Sequence, residues 1–159
     1  MTDLTAVKGM LDRNAQLFEK VTTAVPTELW LSRPGDSSNH LTWITGHVVV
    51  HRARISKLLG STWSAPWEAL FVRGAALEES AKYPSPSELQ QAWKQVSEGL
   101  ATSLSNASPE TLSKPLNNPS PSLDGTVGGL VAFLCFHETY HVGQMGFLKK
   151  LLGCGQTVG

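Results

Sequence analysis

Four stretches of this chain place apolar residues at helical spacing, and no stretch shows the regular alternation that marks a half-buried strand. Their predicted limits are Asp3 to Val25, Asn39 to Gly60, Ser85 to Asn106, and Thr126 to Gly153. Helices without strands bury their apolar faces by packing on one another. The sequence therefore predicts an all-α, four-helix bundle in a single domain over residues 1–159, with a long crossover, residues 61–84, between helices two and three.

The ends of these predicted helices carry recognisable start and stop residues. Asn39 and Thr126 are expected to cap the second and fourth helices, because their side-chain oxygens can accept from free backbone N–H groups. In the third helix, Ser85, Pro86 and Glu88 together match a capping box with proline at the first helical position. These signals support helices in places where hydrophobic periodicity alone leaves the ends open.

The charge and composition exclude several classes of partner. Thirteen basic and thirteen acidic residues cancel, and no run of Lys or Arg exceeds two, so no surface for nucleic acid or an anionic membrane is indicated. The longest apolar run, "VGGLVAFLCF", is too short to span a bilayer. Two cysteines without C-x-x-C spacing indicate neither a disulfide framework nor a thiolate zinc site. We expect a soluble, cytoplasmic protein.

The last predicted helix has two apolar stripes, one more than a single bundle core can cover. The second stripe consists of Phe133, Phe136, Tyr140 and Phe147. A homodimer formed through this helix would bury it, since twofold pairing is the commonest assembly of soluble oligomers. The alternative is that the long connection covers this face with Trp63 and Trp67.

Two helices each carry a pair of histidines four residues apart. In "FHETYHVGQMGF", His137 and His141 lie one turn apart on the apolar stripe, and His47 and His51 repeat that arrangement in the second helix. Neutral imidazoles have one donor each and charged ones repel, so three or four of them facing one core do not satisfy one another. A divalent cation between the helices would resolve this.

The same stretch matches the H-E-x-x-H pattern of zinc proteases, but the surrounding sequence argues against proteolysis. In the extended protease pattern the third ligand follows downstream, and that position is Phe147 here. Glu138 lies about 100° around the helix from His137. It either borders the site as a base or, as we favour, faces solvent or a salt-bridge partner. Gln144 lies one turn past His141 and is a candidate for supporting the ligands or for capping a polar patch.

Taken together, "WITGHVVVHR" and "HETYHVGQ" resemble the motifs of the DinB/YfiT-like family of metalloenzymes. In that family one histidine, a turn after a large apolar residue in helix two, joins two histidines of an H-x-x-x-H-x-G-Q stretch. The matching positions are Trp43, His47, His137, His141, Gly143 and Gln144. The resemblance implies up-down-down-up helix order, a divalent metal held by His47, His137 and His141, and a homodimer.

His51 could replace His47 on the grounds of helix geometry, but the spacing from Trp43 favours His47. His51 then becomes a residue of the cavity or of the shell around the ligands, as do Trp43, Glu138 and Gln144. His40, at the start of the second helix, is expected on the surface.

Three neutral nitrogen ligands leave one coordination position open, which is typical of a catalytic metal. Water bound there would allow hydrolysis, and a thiol would become a nucleophile. The resemblance favours the thiol, because relatives look like thiol S-transferases that use bacillithiol, mycothiol or a similar cofactor. We therefore expect a thiol S-transferase acting on electrophilic small molecules, with zinc or nickel, or else iron, and a low-molecular-weight thiol cosubstrate. No catalytic side chain is assigned. The alternatives are a non-catalytic metal-stabilised bundle, a metal-responsive dimer and, less favoured, a hydrolase.

Overall fold

The computed structural model describes residues 4–35, 39–117 and 121–158. Within these ranges α-helices dominate, and the only β-type pairing is an isolated bridge between Pro115 and Thr126. The helices are α1 (Thr5–Ala24), α2 (Leu41–Leu58), α3 (Pro86–Asn106), the short α4 (Pro109–Ser113) and α5 (Val127–Leu151). Single 3₁₀ turns occupy Thr27–Leu29, Glu68–Phe71 and Ser80–Lys82. The predicted all-α class is confirmed.

The starts of α3 and α5 form as the sequence predicts. The Ser85 N–H donates to Glu88 Oε2 at 2.8 Å while the Glu88 N–H donates to Ser85 Oγ at 3.3 Å, which completes the capping box. At α5, Thr126 Oγ1 accepts from the Gly129 N–H at 3.1 Å. These caps are local interactions, so short sequence spacing is sufficient to identify them.

The start of α2 differs from the prediction. His40, one residue after Asn39, is the cap, and its Nδ1 accepts from the Trp43 N–H at 3.1 Å. Its side chain is 5% exposed and meets the Tyr83 ring edge-on at 4.9 Å between ring centroids. The expectation that His40 lies on the surface is therefore wrong, because the end of the crossover packs over the start of α2.

Helix α2 packs against both α3 and α5, and α1 packs along α5. Two groups of buried side chains fill the space between them. The larger group includes Phe18, Trp30, Trp43, Phe71, Trp93 and Met145, and the second includes Leu11, Ile55, Leu100, Leu112 and Leu134. Burying one such side chain contributes about 1.5–3 kcal/mol to folding. The contact between α2 and α5, which carry the histidine pairs, is thus part of the core.

The crossover does more than connect α2 to α3. Its 3₁₀ turn at Glu68–Phe71 lies against α2, and the Phe71 ring is fully buried there. Gly46 makes this approach possible, since a Cβ at that position would overlap the Phe71 ring. A segment of the crossover therefore rests directly beside His47.

The second apolar stripe of α5 lies on the surface. Phe136, Tyr140 and Phe147 are 61%, 58% and 63% exposed. The tryptophans of the crossover pack elsewhere, and the Trp63 Nε1–H donates to Gln95 on α3 at 3.3 Å. The alternative in which the crossover covers this face with Trp63 and Trp67 is therefore wrong. Among the described residues, no helix combines the length and apolar character needed to cross a bilayer.

Candidate metal centre

Imidazoles from two helices converge on one point between α2 and α5. His47 reaches it from α2 and His137 and His141 from α5, and one ring nitrogen of each lies within 4.8 Å of the others. The Nε2 atoms of His137 and His141 are 3.2 Å apart. A tetrahedral zinc ion with Zn–N bonds of about 2.0–2.1 Å places its ligand nitrogens about 3.3 Å apart. The spacing on α5 already fits a metal ion.

The crossover orients the ring of His47 through a hydrogen bond with its Nδ1. Its Nδ1 lies 2.6 Å from the carbonyl oxygen of Phe71, and a carbonyl can only accept, so Nδ1 carries the proton. In the neutral ring, Nε2 then presents a lone pair. Trp43 stacks on the same ring at 4.7 Å with an interplanar angle of 15° and limits its rotation.

A side-chain amide performs the corresponding task for His141. Its Nδ1 donates to Gln144 Oε1 at 2.7 Å, and Gln144 Nε2 donates in turn to the Tyr140 hydroxyl at 3.2 Å. The lone pair of His141 is thereby also fixed at Nε2. Gln144 supports the histidine from the next turn of α5, as metal-ligating imidazoles commonly require.

His137 shows why this donor set fits a cation. Its Nδ1 is buried, and none of the described residues is a hydrogen-bond partner for it. Because the proton of His141 is on Nδ1, either His137 donates through Nε2 to the Nε2 lone pair of His141, or two lone pairs face each other at 3.2 Å. A cation between the two Nε2 atoms would accept both of these lone pairs. The neutral imidazoles suit zinc, nickel or iron.

The rings of the cluster are held in the neutral form that binds metals. Burial, the largest cause for each, lowers the pKa of His47 and of His137 to about 4, and it also lowers the pKa of His141. For His47 and His141 the hydrogen bonds described above oppose this effect. A ligand that is already deprotonated at neutral pH loses no proton when the cation binds.

The sequence model of the DinB superfamily matches residues 10–145, a range that includes every histidine of this cluster. The chain belongs to the DinB superfamily. No curated protein matches the chain. The family resemblance expected from the two histidine motifs is thereby confirmed, and the match also spans the crossover that supports His47.

His51 lies beside the three convergent rings of this DinB-superfamily chain without joining them. Its ring centroid is 4.3 Å from that of His47 and 4.1 Å from that of His137. Burial, followed by the neighbouring imidazoles, lowers its pKa to about 2. Its buried Nδ1 has no hydrogen-bond partner within the part of the chain that the structure describes. The convergent set contains His47 rather than His51, and a role for His51 in the cavity remains a prediction.

Glu138 neither faces solvent nor borders the cluster with a free carboxylate. Its side chain is completely buried, and Oε1 lies 2.7 Å from Arg52 Nη2 while Oε2 accepts from Arg52 Nε at 2.8 Å. Of the favoured expectation, which was a solvent-facing or salt-bridged residue, the salt bridge is present and the solvent-facing position is wrong. The physical reason is that α1 and α2 both pack on α5, so the face about 100° from His137 lies in the core.

Phe71 and Arg52 both support the helices that carry the histidines, and neither was expected from the sequence. A signal for Phe71 exists in Gly46, because a glycine inside a helix next to a candidate ligand suggests close approach of another segment. Arg52 offers a weaker signal. It follows His51 on a helix whose residues 41–49 are all buried, and a charge on such a helix needs a buried partner.

Proposed function

We propose that this DinB-superfamily chain is a divalent-metal-dependent enzyme of the thiol S-transferase type that acts on electrophilic small molecules. The metal would be held by His47, His137 and His141. One observation carries this proposal: three neutral imidazoles from two helices converge on a common point. In two of them, His47 and His141, Nδ1–H donates to a neighbouring acceptor, which turns Nε2 toward that point.

A divalent cation bound to three neutral nitrogens keeps an exchangeable position and lowers the pKa of a thiol or a water that binds there. The chain supplies the orientation: the Phe71 carbonyl and Gln144 fix the tautomers of His47 and His141, and Trp43 shields one face of His47 from water. The family resemblance favours zinc or nickel over iron and a low-molecular-weight thiol as cosubstrate.

A hydrolase is less well supported. Hydrolysis usually needs a general base within reach of the nucleophilic water. The carboxylate nearest in sequence, Glu138, is saturated by Arg52 and by the Asn14 side chain, which donates to Oε1 at 3.1 Å. The convergent group found among the described residues contains histidines alone. Transfer of a thiol, which needs no such base once the thiol is deprotonated, is the better match.

The alternatives are a non-catalytic bundle fastened by the metal and a dimer that responds to metal. Two apolar clusters and the Arg52–Glu138 ion pair join the helices without a cation. This supports a site that is formed before the metal binds, as expected for a catalytic centre. A metal that only fastens helices is more typical of small domains that unfold without it.

The proposal includes the four-helix, up-down-down-up arrangement that the resemblance implies and a homodimer that pairs α5 with α5. The exposed stripe at Phe136, Tyr140 and Phe147 supports the dimer, because three large aromatic side chains in line along one helix form an apolar surface suited to a second copy of the same chain.

The test uses protein purified without a histidine tag. Elemental analysis and conjugation of a thiol to an electrophile, with zinc or nickel added, should show one metal per chain and turnover above background. His47→Ala should abolish both, and His51→Ala should retain metal binding. The proposal fails if wild-type protein binds no divalent metal, or if it binds metal but no thiol supports conjugation.

A further inference from the structure

A buried ion pair joins α2 to α5 at the level of the histidines. Arg52 directly follows His51, and Glu138 directly follows His137. The guanidinium and the carboxylate meet through two parallel bonds, Nε to Oε2 at 2.8 Å and Nη2 to Oε1 at 2.7 Å. Both side chains are almost or completely excluded from water.

The guanidinium is fixed on every side. Arg52 Nη1 donates to Ser97 Oγ on α3 at 2.9 Å, Nη2 also donates to the Leu11 carbonyl of α1 at 2.8 Å, and the group lies 4.0 Å from the Trp93 ring centroid. One side chain of α2 therefore contacts all three other long helices. The packed core therefore sets the position of the Arg52 guanidinium, and the guanidinium in turn sets the position of the Glu138 carboxylate.

Two-point contact of this kind constrains the helices more tightly than apolar packing does. A bidentate pair of planar groups fixes distance and rotation together. Metal ligands tolerate errors of only about 0.2 Å, whereas a shift of one residue along a helix is about 1.5 Å. Glu138 directly follows the cluster histidine His137, and Arg52 lies five residues after His47 on the same helix. The constraint therefore acts on the two helices that carry the cluster.

We propose that Arg52 and Glu138 are positioning residues that set the register of α2 against α5 and so bring His47 to the pair on α5. This inference rests on the metal centre of the proposed function. The glutamate of the H-E-x-x-H stretch then acts through the helix that it anchors and touches neither metal nor substrate.

The test replaces the pair by apolar residues of similar size, Arg52→Met together with Glu138→Leu. Such a replacement of a buried ion pair is commonly neutral or stabilising, so the double variant should fold with an unchanged or higher Tm. Its affinity for Co²⁺, measured by competition titration, should fall about 10–100-fold, and the visible spectrum of bound Co²⁺ should change. Ser97→Ala is the matched control: it removes one bond from Arg52 but leaves the contact with Glu138, and should bind Co²⁺ like wild type.

A double variant with wild-type affinity and spectrum overturns the inference. If the double variant does not fold, Arg52→Lys takes its place, because lysine keeps the charge without the bidentate fork and should show the same loss. Wild-type protein that binds no Co²⁺ refutes the metal centre instead. The register of α2 against α5 is then tested in metal-free protein by the ¹⁵N chemical shifts of the histidine rings. The double variant should alter these shifts, and Ser97→Ala should not. Unaltered shifts in the double variant overturn the positioning role.

Discussion

Acid should weaken this fold through His40, the buried cap of α2. Its Nδ1 must be unprotonated to accept from the Trp43 N–H. Burial, with a smaller contribution from the positive charge of Arg33, lowers its pKa from 6.5 to about 4. The ring also meets the Tyr83 ring edge-on. Protonation in the folded state would bury a charge and remove the acceptor that begins the helix carrying His47.

The sign and size of the effect follow from that difference in pKa. The folded state binds the proton less readily than the unfolded chain, so stability is complete above pH 6.5 and is lost as the pH falls toward 4. At pH 5 the unfolded His40 is almost fully protonated and the folded one is not. The free energy of unfolding should then have fallen by about 2 kcal/mol on account of this residue alone.

Urea unfolding at pH 7.5 and at pH 5.0, with chelator present, measures the effect in wild type and in His40→Asn. Asparagine is a good capping residue that does not titrate in this range. The cluster histidines titrate in both proteins and cancel in the comparison. The stability advantage of wild type over the variant should shrink by about 2 kcal/mol between the two pH values. Equal losses in both proteins would refute the assignment of a lowered pKa to His40.

Three further perturbations test the site and its surroundings. Gly46→Ala should displace Phe71 and its bond to His47, which should cost about 1–3 kcal/mol of stability and weaken metal binding. Gly143→Ala is the matched control: its added Cβ meets nothing within 4 Å, so it should stabilise α5 by about 0.5–1 kcal/mol. Urea unfolding and Co²⁺ titration compare the two variants. Zinc at about 100 times its Kd should raise the Tm of the protein by about 5–10 °C in calorimetry. If a chelator unfolds the protein at room temperature, the result would instead support the bundle fastened by metal. Phe136→Glu should convert dimers to monomers in sedimentation without changing Tm greatly, and an unchanged sedimentation coefficient would contradict pairing through α5.

The helices and most of their caps could be predicted because their causes lie within a few residues of one another. The capping box at Ser85 and the cap at Thr126 need only a hydroxyl and the correct spacing. The inward direction of His137 and His141 could likewise be predicted from the leucines that share their face of the helix. What the sequence did not reveal was how the helices and the crossover pack on one another.

The errors arise where a distant segment decides the outcome. His40 was expected on the surface, since nothing near it in sequence indicates that Tyr83 covers it. Phe71 was missed because it contributes a backbone carbonyl, and Gly46 indicates only that some segment approaches α2 closely, not which one. In both places the crossover between α2 and α3 packs on α2. Its composition marks it as a connection, but periodicity does not indicate its path.

The residues of the H-E-x-x-H motif on α5 lie in three different environments. Successive residues of a helix differ by about 100°, so the glutamate of H-E-x-x-H does not point to the same place as the two histidines. His137 and His141 face α2, Glu138 points to the buried arginine, and Tyr140 lies on the exposed side. In a zinc protease the glutamate acts on water at the metal. Here Arg52 and Asn14 bind that carboxylate, so the identical letters place no free carboxylate beside the cluster. The chemistry of such a motif is decided by the helix packed against it, and in this chain that helix supplies a third imidazole and a counter-ion.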